Sequence, residues 1–224
     1  MEFDRIYAEV DLGRIEENMK AMKEHLRPGT KMYGVVKTDA YGHGAVPVAR
    51  TIDRFVCGYA VATVDEGIKL RRHGIEKEIL CLGPVSAGRY QECLENDISL
   101  PMFEYRRAKE LSDAAVAEGK TAKIHIAVDT GMSRIGLFPD EGSVETVKEI
   151  AELPALRIAG MFTHFARADE ADKTKAGEQY RRFHAFCDAG KAAGVEVPVC
   201  HCSNSAGIVE LPDFNMDAVR AGIT

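Results

Sequence analysis

Short apolar runs, many of them rich in β-branched residues, alternate along the chain with amphipathic stretches of helical period. The runs predict strands over 31–36, 58–62, 78–82, 98–102, 122–128, 157–162, 197–201 and 218–223. Several, such as AKIHIAV and EILCLG, are apolar on both faces, which suits a parallel sheet wrapped by helices better than a half-exposed antiparallel one. Between the strands, Ile15, Met19, Met22 and Leu26 recur at helical spacing. Thr63 with Glu66 reads as a capping box, and Gly74 suits the other end of that helix. Ala108, Leu111 and Ala115 form another stripe, and Tyr180, Phe183 and Cys187 a third, in a helix stopping near Gly194. Eight strands in 224 residues leave about 28 residues per β/α unit. The expected fold class is therefore α/β, a (β/α)8 TIM-like barrel ending at or near the eighth strand. An open doubly wound sheet shows the same alternation and stays an alternative on pattern alone.

Composition narrows the class without altering that picture. Hydrophobic residues make up 46% and charged residues 29%, enough apolar material to exclude disorder. A formal net charge of -6 gives no general attraction for phosphate backbones, so nucleic acid is not an expected partner. No apolar run approaches the ~18 residues of a membrane span. The start, MEFDRIYAEVDLGRI, is acidic where a signal peptide is basic and then apolar, so a cytoplasmic location is expected. Cys57, Cys81, Cys93, Cys187, Cys200 and Cys202 are scattered, mostly within apolar stretches, and read as reduced core residues rather than disulfides. No linker, repeat or low-complexity tract interrupts the chain, which reads as one domain over 1–224.

In barrels of this kind, function collects at the C-terminal ends of strands and in the loops that follow. Four polar or glycine-rich segments fall there: KTDAYGHG, DTGMSRIG, THFARADE and HCSNSAG, with RAGIT after the last strand. Lys37 directly follows a buried run, and a poorly hydrated amine is suited to Schiff-base formation with a carbonyl compound. Alone, it fits a lysine that snorkels to solvent better. The neighbouring Tyr41, Gly42, His43 and Gly44 shift that balance, because glycines admit close backbone approach and a tyrosine can hydrogen-bond a phosphate oxygen. Cys200-His201-Cys202 lacks a second ligand pair, and alternation on a strand sends His201 away from both cysteines, so no metal site is expected.

VVKTDAYGHG resembles the cofactor-lysine motif of the alanine racemase family, whose members use pyridoxal phosphate on a barrel. AEVDLGRIEENM, VDTGMSRIG, GMFTHFARADE, HCSNSAG and VRAGI resemble further segments of that family, in its order, and together span residues 8 to 223. The resemblance implies a racemase interconverting L- and D-alanine, with Lys37 forming the internal aldimine and acting as the base on one face of Cα. It implies phosphate contacts from Tyr41, Ser205 and the backbones of Gly222 and Ile223, with Asn204 in the same pocket. Ser205 is expected to open a helix, where free N–H groups and the dipole favour an anion. Arg220 matches the arginine facing the pyridine nitrogen. A protonated arginine there weakens the ring as an electron sink and favours racemisation over transamination. By residue type alone Arg220 also fits an interior salt bridge. His164 matches the histidine linking Arg220 to a catalytic tyrosine, and Arg134 an arginine near the cofactor's phenolic oxygen and the substrate carboxylate. His201 matches the histidine that starts its segment and packs below the cofactor.

One position departs from the family pattern. Many members carry a carbamylated lysine two residues before the aspartate of DTGM, where this chain has Ala127, so no carbamate is expected and another group or an anion such as chloride would steady Arg134. Racemisation needs a second base on the opposite face of Cα. The family supplies it as a tyrosine of a C-terminal β-domain, across a homodimer interface, and none of the seven tyrosines here matches it. The expectation is a barrel that binds pyridoxal phosphate but racemises weakly or not at all without that domain and a second subunit. Two alternatives stand beside it: a serine racemase domain of the vancomycin-resistance type, and a non-catalytic barrel protein of pyridoxal phosphate homeostasis. KTDAYGHG and HCSNSAG argue against the latter.

Overall fold

The apolar runs pair in chain order. In the computed structural model, which describes residues 6–222, they form β1 (Lys31–Val35), β2 (Gly58–Val61), β3 (Glu78–Cys81), β4 (Ile98–Met102), β5 (Ala122–Ala127), β6 (Leu156–Phe162), β7 (Cys200–His201) and β8 (Ala218–Ala221). Every neighbouring pair is parallel, and β1 pairs with β8 from Lys31 opposite Ala218 to Gly34 opposite Ala221, closing a barrel. Closure settles the choice between barrel and open sheet.

Two strands fall short of their predicted lengths for identifiable reasons. β7 has two residues because Pro198 carries no N–H and the Cys200 N–H donates to the Asp217 carboxylate, at 2.8 Å, rather than to a ladder. β8 stops at Ala221 because the Gly222 N–H turns to the Ser205 hydroxyl.

The helices follow their local signals. Asp11 caps Leu12–His25, which buries Met19 and Met22. The predicted capping box opens Val64–Arg72, with Thr63 and Glu66 bonding each other's backbone N–H, and Gly74 follows with φ +82°. Tyr105–Ala117 buries Ala108, Leu111 and Ala115, and Thr174–Ala192 buries Phe183 and Cys187. The main core lies between this helical layer and the outer barrel face, where each fully buried leucine or isoleucine contributes about 1.5–3 kcal/mol. All six cysteines are free, and five are buried.

The inside of the barrel departs from the usual filling of branched apolar side chains. It holds a polar column of Tyr33, Glu78, Ser99, His125, His201 and Arg220, running from the start of β3 towards the C-terminal ends of the strands. That column leads to the candidate site.

Candidate active site

After β1 the backbone makes an unusual turn. Thr38, Asp39, Ala40 and Tyr41 all take left-handed conformations, with φ of 51°, 55°, 53° and 54°. Each such L-residue costs roughly 1–2 kcal/mol, so the turn needs outside support. Asp39 Oδ1 accepts hydrogen bonds from the Ala45 N–H at 3.0 Å and from Lys69 Nζ at 2.7 Å. Glu66, beyond capping its own helix, accepts the Thr38 N–H at 2.6 Å and the Ala62 N–H at 2.7 Å. The turn brings Lys37 Nζ to 5.9 Å from the Tyr41 ring centre, and both border one cavity.

That cavity, of about 930 Å³, lies at the C-terminal ends of the strands and is bordered by Lys37, Tyr41, Arg134, His164, Ser205 and Arg220 among others. Asn204 and Gly222 also line it, so all the expected site residues within the described chain meet in one place. Ile223 lies outside the described residues. One corner is built for an oxygen-rich group. The Gly222 N–H donates to Ser205 Oγ at 2.9 Å, which leaves the hydroxyl's own proton free to donate. A Cβ on Gly222 would sit 2.7 Å from the Tyr41 hydroxyl, so only glycine leaves that corner open. Burial raises the Tyr41 phenol above its ordinary range and keeps its proton available as a donor. The helix that Ser205 opens, Ser205–Glu210, has six residues and is capped by Asn204 Oδ1 on the Gly207 N–H at 2.9 Å. So short a helix has little macrodipole, and individual hydroxyl and N–H donors are what this corner offers.

Arg220 is buried on β8. Its Nη1 donates to His201 Nδ1 at 2.8 Å and to the His201 carbonyl, and its Nη2 donates to the Thr163 and Cys202 carbonyls and to His164 Nδ1 at 3.3 Å. Both terminal nitrogens are thus tied to protein acceptors, and Nε–H is the donor none of these bonds uses. Burial brings the guanidinium down to about 10, so it remains a cation at neutral pH. No carboxylate among the described residues lies within ion-pair distance of it, so the interior salt bridge is not what holds Arg220.

Burial, then the charges of Arg220, Arg134 and Lys37, push the His164 imidazole down to about 3. Accepting from Arg220 at Nδ1 leaves Nε2–H as its donor. Burial and the facing Arg220 and His125 hold His201 well below its ordinary value too. Both rings take up protons in the unfolded chain below about pH 6.5 but not in the folded one. The unfolded state therefore binds more protons below that pH, and folding stability should be fully present above it and fall as the solution is acidified. Thermal unfolding is expected to show a falling Tm from pH 7 to pH 4, with a shallower slope in His164→Asn. A flat Tm over that range would contradict the neutral-ring assignment.

DTGMSRIG forms a closed loop after β5. Asp129 Oδ1 accepts the N–H groups of Gly131 and Ser133, at 3.0 and 2.9 Å, and the chain returns where the Leu137 N–H meets the Ala127 carbonyl at 2.9 Å. The loop sets Arg134 at the cavity rim, exposed and without an ion-pair partner among the described residues. Ala127 is buried at the end of β5. Gln179 fastens this loop to the next one. Its Nε2 donates to Thr130 Oγ1 at 3.2 Å and to the His164 carbonyl at 3.0 Å, and its Oε1 accepts the Ala166 N–H. Sequence reasoning missed Gln179, Asp39 as a turn anchor and the second role of Glu66. The available signal was a polar residue on the apolar face shared by Ala176 and Phe183. Cys200 and Cys202 join the outer core while His201 faces the column, as alternation predicts.

Comparison with known proteins agrees with this geometry. The family model "Alanine racemase, N-terminal domain" matches residues 10–224. An alanine racemase of Clostridium novyi is 44% identical over 97% of this chain and 56% of its own length. The solved alanine racemase of Clostridium difficile 630 superposes with a TM-score of 0.93 at 38% identity, over 95% of this chain and 56% of that one. A crystal structure of the Bacillus anthracis alanine racemase with bound L-Ala-P superposes with a TM-score of 0.87 at 36% identity, covering 96% of this chain and 55% of that one. The chain thus spans little more than half the length of these relatives.

Proposed function

The chain belongs to the alanine racemase N-terminal domain family, and from that membership we propose that its barrel holds pyridoxal phosphate on Lys37 and forms one part of an alanine racemase site. The observation that carries this reading is the meeting of three features in one cavity. They are an amine with no hydrogen-bond or ion-pair partner among the described residues, a corner of small and hydroxyl-bearing residues, and a fixed cationic N–H donor. When bound, pyridoxal phosphate supplies an electron sink that makes the α-proton of an amino acid removable.

The chain's own residues do the rest. The Tyr41 and Ser205 hydroxyls donate to the phosphate, Gly222 leaves room for it and Asn204 holds the Ser205 backbone in place. Ile223, by the family resemblance, adds a backbone donor. Arg220 stays charged and donates towards the ring nitrogen, which disfavours a proton there and returns the α-proton quickly to Cα. Lys37 moves that proton on one face. Arg134 offers a forked pair of donors to the substrate carboxylate. His164, neutral and donating through Nε2, orients the acid–base partner of the opposite face. In this proposal that partner is a tyrosine from a C-terminal β-domain of a second subunit, outside these 224 residues, and turnover requires it. With Ala127 in place of a lysine, an anion or another group steadies Arg134. No helix among the described residues is long and apolar enough to cross a membrane.

Mixing the chain with pyridoxal phosphate, reducing with borohydride and mapping the adduct by mass spectrometry tests the proposal. An adduct on Lys37 supports it, and an adduct spread over surface lysines, or none, overturns it. A second expectation concerns the phosphate corner. Gly222→Ala places a methyl against the Tyr41 hydroxyl and should weaken cofactor binding about tenfold, read by fluorescence titration, with the fold retained.

A further inference from the structure

We infer that Glu78, at the start of β3 and remote from the cavity, positions Arg220 by fixing the tautomers of the two histidines between them. The inference rests on the reading of Arg220 as the donor that faces the cofactor ring. Arginine can only donate. His201 Nδ1, 2.8 Å from Arg220 Nη1, must therefore accept, and the neutral ring carries its proton on Nε2. That Nε2–H lies 3.1 Å from His125 Nδ1, which must accept in turn and place its own proton on Nε2. His125 Nε2 then donates to Glu78 Oε1 at 3.2 Å.

Only a group that accepts can end this series. Glu78 is such a group, because the Tyr33 hydroxyl at 2.7 Å and the Ser99 hydroxyl at 2.8 Å also donate to it. Burial pushes the Glu78 carboxyl up, but the hydrogen bonds from His125, Tyr33 and Ser99 hold it below its ordinary range and keep it an acceptor. The surrounding backbone is shaped for the column. A Cβ on Gly160 would lie 2.6 Å from His125 Nδ1, and one on Gly58 would lie 3.0 Å from Tyr33 Cε1.

Removing the acceptor at position 78 leaves the His125 Nε2–H without a partner. The series is then held from the Arg220 end alone and can reverse, because Arg220 Nη1 keeps the His201 carbonyl as an acceptor and gives up only its tie to His201 Nδ1, which takes the proton. One tie of the guanidinium breaks, and the direction of its Nε–H is no longer fixed. Glu78 touches neither substrate nor cofactor; it is a positioning residue.

Ring ¹⁵N NMR of the full chain, without cofactor and at neutral pH, reads the tautomers directly. The expected result is a proton on Nε2 of both His125 and His201. Glu78→Leu should move the His201 proton from Nε2 to Nδ1, whereas Glu78→Gln, whose amide oxygen still accepts, should retain the wild-type pattern. With pyridoxal phosphate added, Glu78→Leu should hold it about tenfold more weakly and with a shifted absorbance band, and Glu78→Gln should match wild type. An Nδ1-protonated His201 in the wild-type chain overturns the inference. So does a folded Glu78→Leu chain that keeps the Nε2 proton, or a Glu78→Gln chain that loses it. If Glu78→Leu does not fold, the wild-type and Glu78→Gln spectra decide. A chain that takes up no cofactor overturns the functional reading and leaves the tautomer result standing.

Discussion

Replacing Lys37 with alanine is expected to abolish the covalent, borohydride-trappable uptake of pyridoxal phosphate while leaving the fold intact. Lys37 is the one lysine among the residues lining the cavity, so no neighbouring amine can take over the bond. The phosphate corner and Arg220 remain in the variant, and reversible binding should persist at reduced affinity. Stability should change by no more than about 0.5 kcal/mol, because Lys37 contributes no hydrogen bond or ion pair among the described residues and sits half-buried at the cavity edge. Mass spectrometry of the reduced protein and a thermal melt separate the two effects. An adduct that survives in Lys37→Ala would place the attachment elsewhere.

Arg220→Leu is expected to act on the fold itself, with a loss of about 3–5 kcal/mol. The guanidinium supplies five hydrogen bonds inside the barrel. Removing it strands the carbonyls of Thr163 and Cys202 together with the ring nitrogens of His164 and His201, and leaves the His201 carbonyl only the Thr163 N–H. Each buried acceptor left without a donor costs about 1–3 kcal/mol before any rearrangement or entry of water, so the total is bounded by how far the site can relax. Arg220→Lys should lose less, since one ammonium satisfies some of those acceptors but cannot span the fork. Urea unfolding midpoints measure the difference. A loss below about 1 kcal/mol in Arg220→Leu would mean that the column is satisfied in some other way.

What the sequence reveals and what it hides follows from how local each feature is. Lys37 is legible because it directly follows a periodic apolar run whose end points at the cavity in any barrel, whereas His164 and Ser205 are legible through the family resemblance of the segments that carry them. The left-handed turn is not legible. Thr38, Ala40 and Tyr41 have no preference for positive φ, and their support comes from Glu66, whose spacing from Thr63 advertises only a helix cap. The polar column is hidden for a different reason. Glu78 reads as the polar lead-in to EILCLG and His125 as an interruption of AKIHIAV. Their partners Tyr33, Ser99, His201 and Arg220 lie on four other strands, one to each. Only closure of the sheet makes them neighbours, and no local pattern records closure. Gln179 falls between these cases, since its helix face is readable but its targets are not.

Joining β1 to β8 also has a consequence in time. On a ribosome adding roughly 5–20 residues each second, Lys37 is made about 10–40 seconds before Arg220 and Gly222. Until the last strand emerges and docks beside the first, the nascent chain has Lys37 but neither Arg220 nor Gly222 at the cavity. On the proposed function, cofactor capture waits until β8 has been synthesised and has docked beside β1.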